Sequence, residues 1–165
     1  MRKAGILLAA LSVVVAILLA TGVAACGSSS GDNATAQPLS GATLNGIAFD
    51  LSSYRGKPVV VNFFASWCPP CNSEAPDLAA FARAHPEVGF VGVDVNDKQA
   101  DAQAFVGKYG LPYPIVYDPN GTVGGVWKVD AIPATFFIDA NGVVKGHIVG
   151  AADRATFEAD LQKAK

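Results

Sequence analysis

The stretch KPVVVNFFASWCPPCNSEAPDLAAFARA, residues 57–84, decides the fold. It opens on a continuous β-branched and aromatic run, which predicts a strand covered on both faces in the middle of a sheet. From residue 69 the period changes, with Leu78, Phe81 and Ala82 recurring at helical spacing. Pro69 and Pro70 suit a helix's first turn, whose N–H groups lack intrahelical partners anyway, whereas Pro76 is expected to kink it. Cys68 therefore stands where a buried strand meets a helix N-terminus, and Cys71 lies one turn further in.

That position has a chemical consequence. A helix N-terminus carries partial positive charge and unpaired N–H groups, which favour thiolate over thiol. Such sites and Cys-x-x-Cys pairs commonly lower a thiol pKa from about 8.5 to roughly 3.5–7.5. Cys68 thus reads as the attacking sulfur and Cys71 as the more shielded one that resolves a mixed disulfide. A structural staple is a poor alternative, because the two-residue gap closes too small a loop to gain much entropy. Zinc is equally poor, since His85 and His147 are scattered and supply no second half of a site. No metal and no cofactor is expected.

The rest of the chain alternates strands and helices. VGFVGVDVN (88–96) reads as a second buried strand and Lys98 to Tyr109 as a helix stopped by Gly110. YPIVYD and ATFFID read as further strands, and Asn141-Gly142 turns the chain into the hairpin strand VVKGHIVG. Ala152 to Ala164 closes the domain as a helix. The fold class is α/β, a central mixed sheet flanked by helices.

Ahead of the domain, Arg2 and Lys3 precede an apolar stretch, Ile6 to Ala20, with the length of a signal-peptide core. Val23-Ala24-Ala25-Cys26 resembles a bacterial lipoprotein processing site, which implies cleavage before Cys26 and its lipidation. The expected organisation is a signal peptide at 1–25, a flexible tether at 26–40 and one domain at 41–165. A protein anchored in this way sits on the bacterial membrane facing outward, where disulfides persist. The chain has 12 basic and 14 acidic residues, and this mild acidity gives no reason to expect nucleic acid as a partner.

VVNFFASWCPPC, together with Pro76 and AIPATFFID, resembles the thioredoxin superfamily, and specifically its extracytoplasmic TlpA, ResA and DsbE-like branch. The branch is suggested by Asn62 in place of a buried aspartate, by Glu74 after the second cysteine, and by the insert at 97–129, similar to that branch's extra helix and strand. The resemblance implies a thioredoxin-like fold over about 41–165 and a thiol-disulfide oxidoreductase. It also implies a cis Ile132-Pro133 bond beside the cysteines, with Ile132 offering its backbone to a partner by strand addition. Trp67 would form a rim for that partner, and Glu74 would move a proton to and from Cys71. Ala134 stands where many relatives have threonine, a side chain with no chemical task.

Partners implied are exported cysteine-containing proteins, apocytochrome c among them, and a membrane thiol electron donor or acceptor, with the protein itself a monomer. Reductase is favoured over the alternative, an oxidase that forms disulfides in exported proteins. Peroxiredoxins share the general fold, but their Thr-x-x-Cys pattern is broken here by Ala65. A copper(I) chaperone would need His147 as third ligand and a wider cysteine spacing. His85 and His147 are assigned no role.

Overall fold

The computed structural model describes residues 34–165, so the signal segment and Cys26 lie outside the described residues. Two short strands come first, β1 (Ser40–Ala42) and β2 (Ala48–Asp50), paired antiparallel as a hairpin of their own. A 3-10 turn, Leu51–Tyr54, then leads into β3 (Val59–Phe64), every residue of which is buried. Next come α1 (Pro69–Ala84), β4 (Gly89–Val95) and α2 (Gln99–Tyr109). They are followed by β5 (Ile115–Asp118), α3 (Thr122–Val126), β6 (Ala134–Ile138), β7 (Val144–Val149) and α4 (Arg154–Ala164).

The sheet order β5-β4-β3-β6-β7 puts β3 at the centre. It runs parallel to β4 and antiparallel to β6, so the sheet is mixed. Alternation sends Val59, Val61 and Phe63 to one face, against Val91, Val93, Trp127 and Phe136. Val60 faces the other way, where Leu78 and Phe81 of α1 meet Phe137 and α4's Phe157 and Leu161. Gly92 sits where β4 passes under this layer. A Cβ there would lie 2.5 Å from Ile115 Cδ1 and 3.0 Å from Phe64 Cε1, so only glycine fits without a shift. Gly110 ends α2 at φ +60°, the left-handed conformation expected of a C-terminal cap.

The elements expected from the sequence are present, with three additions. The tether does not extend to residue 40: Ala36 N–H donates to Gly142 O, Val144 N–H to Ala34 O, and Leu39 is core. The β1–β2 hairpin fastens to the edge of β5 through Leu44 N–H and Ile115 O at 2.9 Å. Inside the 97–129 insert, α3 forms despite its two glycines, because Asp118 accepts from Thr122 N–H and Gly124 N–H and holds its first turn. Helix α1 is continuous across Pro76, whose missing N–H leaves the Asn72 carbonyl without its helical donor.

Candidate active site: a dithiol at a helix N-terminus

Because β3 ends at Phe64 and α1 begins at Pro69, the four residues between them form a short loop above the sheet. Cys68 is the N-cap of α1, and its sulfur is bonded to that of Cys71. The Cys71 N–H donates to Cys68 Sγ at 3.2 Å. Pro69 and Pro70 are exposed and have no N–H to offer, so this amide is the motif's own donor to the attacking sulfur. Cys68 Sγ also lies 3.7 Å from the Ile132 carbonyl oxygen, and the Ile132-Pro133 bond is cis. The two cysteines do not differ in shielding while bonded, being 3% and 2% exposed; the hydrogen bond, not burial, sets them apart.

Asn62, Glu74 and Thr135 meet beneath the pair. Asn62 Nδ2 donates to Glu74 Oε1 and to Thr135 Oγ1, each at 2.9 Å. The second Glu74 oxygen accepts from Ala152 N–H at 3.0 Å. Glu74 is buried rather than solvated, and this desolvation pushes its carboxyl up to about 7 against the pull of its two donors. It follows Cys71 by three residues and so shares its helix face. A buried carboxyl poised near neutrality one turn from a thiol can take and return a proton.

Trp67 is 59% exposed, with its indole N–H on the Asn96 carbonyl at 3.0 Å. Pro133 is buried and Ile132 half-buried. The sequence reading passed over Asn72, which clamps the loop. Its Nδ2 donates to Ser66 O and Cys68 O, and its Oδ1 accepts from Tyr109 O–H. Only the helical offset from Cys68 hinted at it. His147 stacks on Phe136, with ring centroids 4.0 Å apart, and His85 lies between Glu87 and Glu158. Among the described residues no group of three or more His, Cys, Asp or Glu is placed to hold a metal.

A disulfide capping the helix that leaves the central strand of a mixed sheet, with a cis-proline loop against it, defines a thioredoxin-like domain. The Redoxin family profile matches residues 29–164, and the chain belongs to that family, among its ResA and DsbE-like thioredoxin-fold members. It is 35% identical over 124 residues to the thiol-disulfide oxidoreductase ResA of Geobacillus kaustophilus, covering 74% of this chain and 71% of that one. It is 41% identical over 100 residues to the soluble secreted antigen MPT53 of Mycobacterium tuberculosis, covering 61% of this chain and 58% of that protein's length. In structure it is similar to a secreted Mycobacterium tuberculosis disulfide oxidoreductase homologous to E. coli DsbE. That likeness has a TM-score of 0.71 and 33% identity, and covers 75% of this chain and 94% of the other.

Proposed function

We propose that this protein is an extracytoplasmic thiol-disulfide oxidoreductase that exchanges its Cys68–Cys71 pair with exported proteins, working as a reductase. The observation that carries the reading is the disulfide at the α1 N-terminus, with Cys71 N–H on Cys68 Sγ. In the reduced enzyme the Cys68 thiolate attacks a client disulfide, forming a Cys68–client bond and expelling the client's other sulfur as a thiolate. Glu74 takes the proton of Cys71, whose thiolate attacks Cys68 Sγ. The client leaves with both sulfurs reduced, and the pair is left as the disulfide. A membrane thiol donor returns the two electrons. Apocytochrome c, which must have free thiols to take up haem, is a client of the right chemistry.

The direction rests on how few donors the motif offers the thiolate. A strong oxidant has a stabilised reduced form, and here a single amide serves Cys68. The couple is therefore expected nearer thioredoxin's value of about −270 mV than the roughly −120 mV of a strong oxidant. Equilibration against glutathione buffers measures it. A value above about −180 mV would sink the reductase reading and leave an oxidase.

We assign the anchor to lipid on Cys26, which places the domain on the outer side of the bacterial membrane. Among the described residues no helix is long and apolar enough to cross a membrane. Cys26→Ala is expected to move the protein from the membrane to the soluble fraction with its dithiol activity intact, as fractionation and an exchange assay would read. Retention in the membrane would remove Cys26 as the lipid site.

A further inference from the structure

Strand β4, GFVGVDV, is apolar or glycine except for Asp94. Asp94 is 0% exposed, and no donor reaches either of its carboxyl oxygens. A buried charge in that state is costly, so the group is held as the neutral acid. Alternation turns it to the sheet face covered by α1 and α2, in register with Phe64 of β3 and Tyr117 of β5. Phe64 leads directly into Ala65, Ser66, Trp67 and Cys68. From α1 and α2 this face receives apolar groups, among them Ala75, Ala102 and Phe105. The titratable groups about Asp94 are Asp97 in the β4–α2 connection, Asp118 at the end of β5, and Tyr117.

Asp97 is bound to the active-site loop. Its Oδ2 accepts from Ser66 N–H at 2.6 Å, its Oδ1 from Lys98 N–H at 2.7 Å, and its carbonyl from Tyr117 O–H at 3.1 Å. The adjoining Asn96 carbonyl receives the Trp67 indole. This connection thus grips the loop from one side as Asn72 does from the other.

We propose that Asp94 is a positioning residue of the dithiol site: as a neutral acid it leaves the Asp97 carboxylate to hold Ser66 undisturbed, and its ionisation loosens the loop carrying Trp67 and Cys68. A second charge beside Asp97, away from water, forces the pair to share one proton or to move apart. Either response weakens the charge-assisted bond to Ser66. The proton lost from Asp94 passes to solvent base and no redox change accompanies it. Burial, then the like charge of Asp97 and the hydrogen bond the neutral acid makes to it, and last the charge of Asp118, push Asp94 up to about 8, which places the transition just above neutrality.

The test uses the full chain with its disulfide intact, labelled with carbon-13 and nitrogen-15, and titrated by NMR from about pH 5 to above the Asp94 midpoint. The Asp94 carboxyl signal, identified by its loss in Asp94→Asn, is expected to titrate far above the ordinary carboxylate range of about 4. The Ser66 amide and the Trp67 indole should move with the same midpoint, and in Asp94→Asn both should stay fixed. Native Asp94 keeps a proton that the unfolded chain loses near pH 4, so stability falls as pH rises from about 4 to about 8. The melting temperature of the isosteric, neutral Asp94→Asn should therefore exceed wild type by a margin that widens across that window. Asp97→Asn should lower the Asp94 midpoint and uncouple Ser66 from it. An ordinary Asp94 titration, or a Ser66 amide that ignores it, overturns the proposal. The link to catalysis rests on the exchange reading above and is read separately, as loss of the alkaline inflection of the exchange rate in Asp94→Asn. These spectra need no turnover, so an inactive protein with the expected titration would reject the exchange reading alone.

Discussion

Cys71→Ser is expected to accumulate stable mixed disulfides between Cys68 and client proteins, visible as adducts that collapse to monomer on adding reductant. The resolving attack is intramolecular, its sulfurs already in bonding position. Removing Cys71 leaves the Cys68–client bond waiting for an external thiol. The reciprocal Cys68→Ser should form no adducts, and its exchange should fall to the uncatalysed background. The helix-capping position and the Cys71 N–H belong to the Cys68 sulfur and would not activate Cys71 in its place. Mass spectrometry of the adducts checks which cysteine carries the client. Clients found on Cys71 in Cys68→Ser would reverse the two roles.

Glu74→Gln is expected to remove the near-neutral inflection from the pH profile of exchange and to slow resolution on the order of a hundredfold, the scale of a lost general base. The same variant tests the group's contribution to stability. Glu74 keeps its proton up to about 7, against a reference value of 4.5. The native state thus binds more protons than the unfolded chain between those values, and stability falls as pH rises through that window. The total is roughly 3 kcal/mol at about 1.4 kcal/mol per unit. The amide has one acceptor oxygen for the two donors, Asn62 Nδ2 and Ala152 N–H, so a pH-independent cost of about 1–2 kcal/mol accompanies it. The diagnostic is therefore the slope. Wild type should lose stability between pH 4.5 and about 7 more steeply than Glu74→Gln, which keeps only the shallower fall contributed by Asp94. Parallel curves, with an unchanged exchange profile, would return Glu74 to a structural part.

Much of the fold could be read along the chain because its central elements carry local signals that agree with their tertiary setting. The residues of β3 other than Asn62 are apolar on both faces and β3 is the middle strand; α1 begins at two prolines, and Gly110 ends α2 in the left-handed conformation. The parts that escaped lack such agreement. Strands β1 and β2 are three residues each and mostly exposed, and pairing alone defines them. Helix α3 contains two glycines and exists because Asp118, on another element, holds its N–H groups. Asp94 was hidden within a run that reads as an ordinary buried strand.

The sequence by itself determined the α/β class, the central strand, the helix it feeds, and the placement of Cys68 and Cys71 at that helix's start, because each follows from short-range periodicity and backbone constraint. The resemblance of its motifs to the thioredoxin superfamily also singled out Asn62, Glu74, Ile132 and Pro133 as residues to watch. Only the tertiary structure decided what surrounds them. It buried Glu74 between Asn62 and Ala152, 78 residues further along the chain, set Ile132 O against Cys68, and tied Ser66 to Asp97 across the gap between β3 and β4. Desolvation and hydrogen bonding depend on which distant segments come together, and that information is absent from any local pattern.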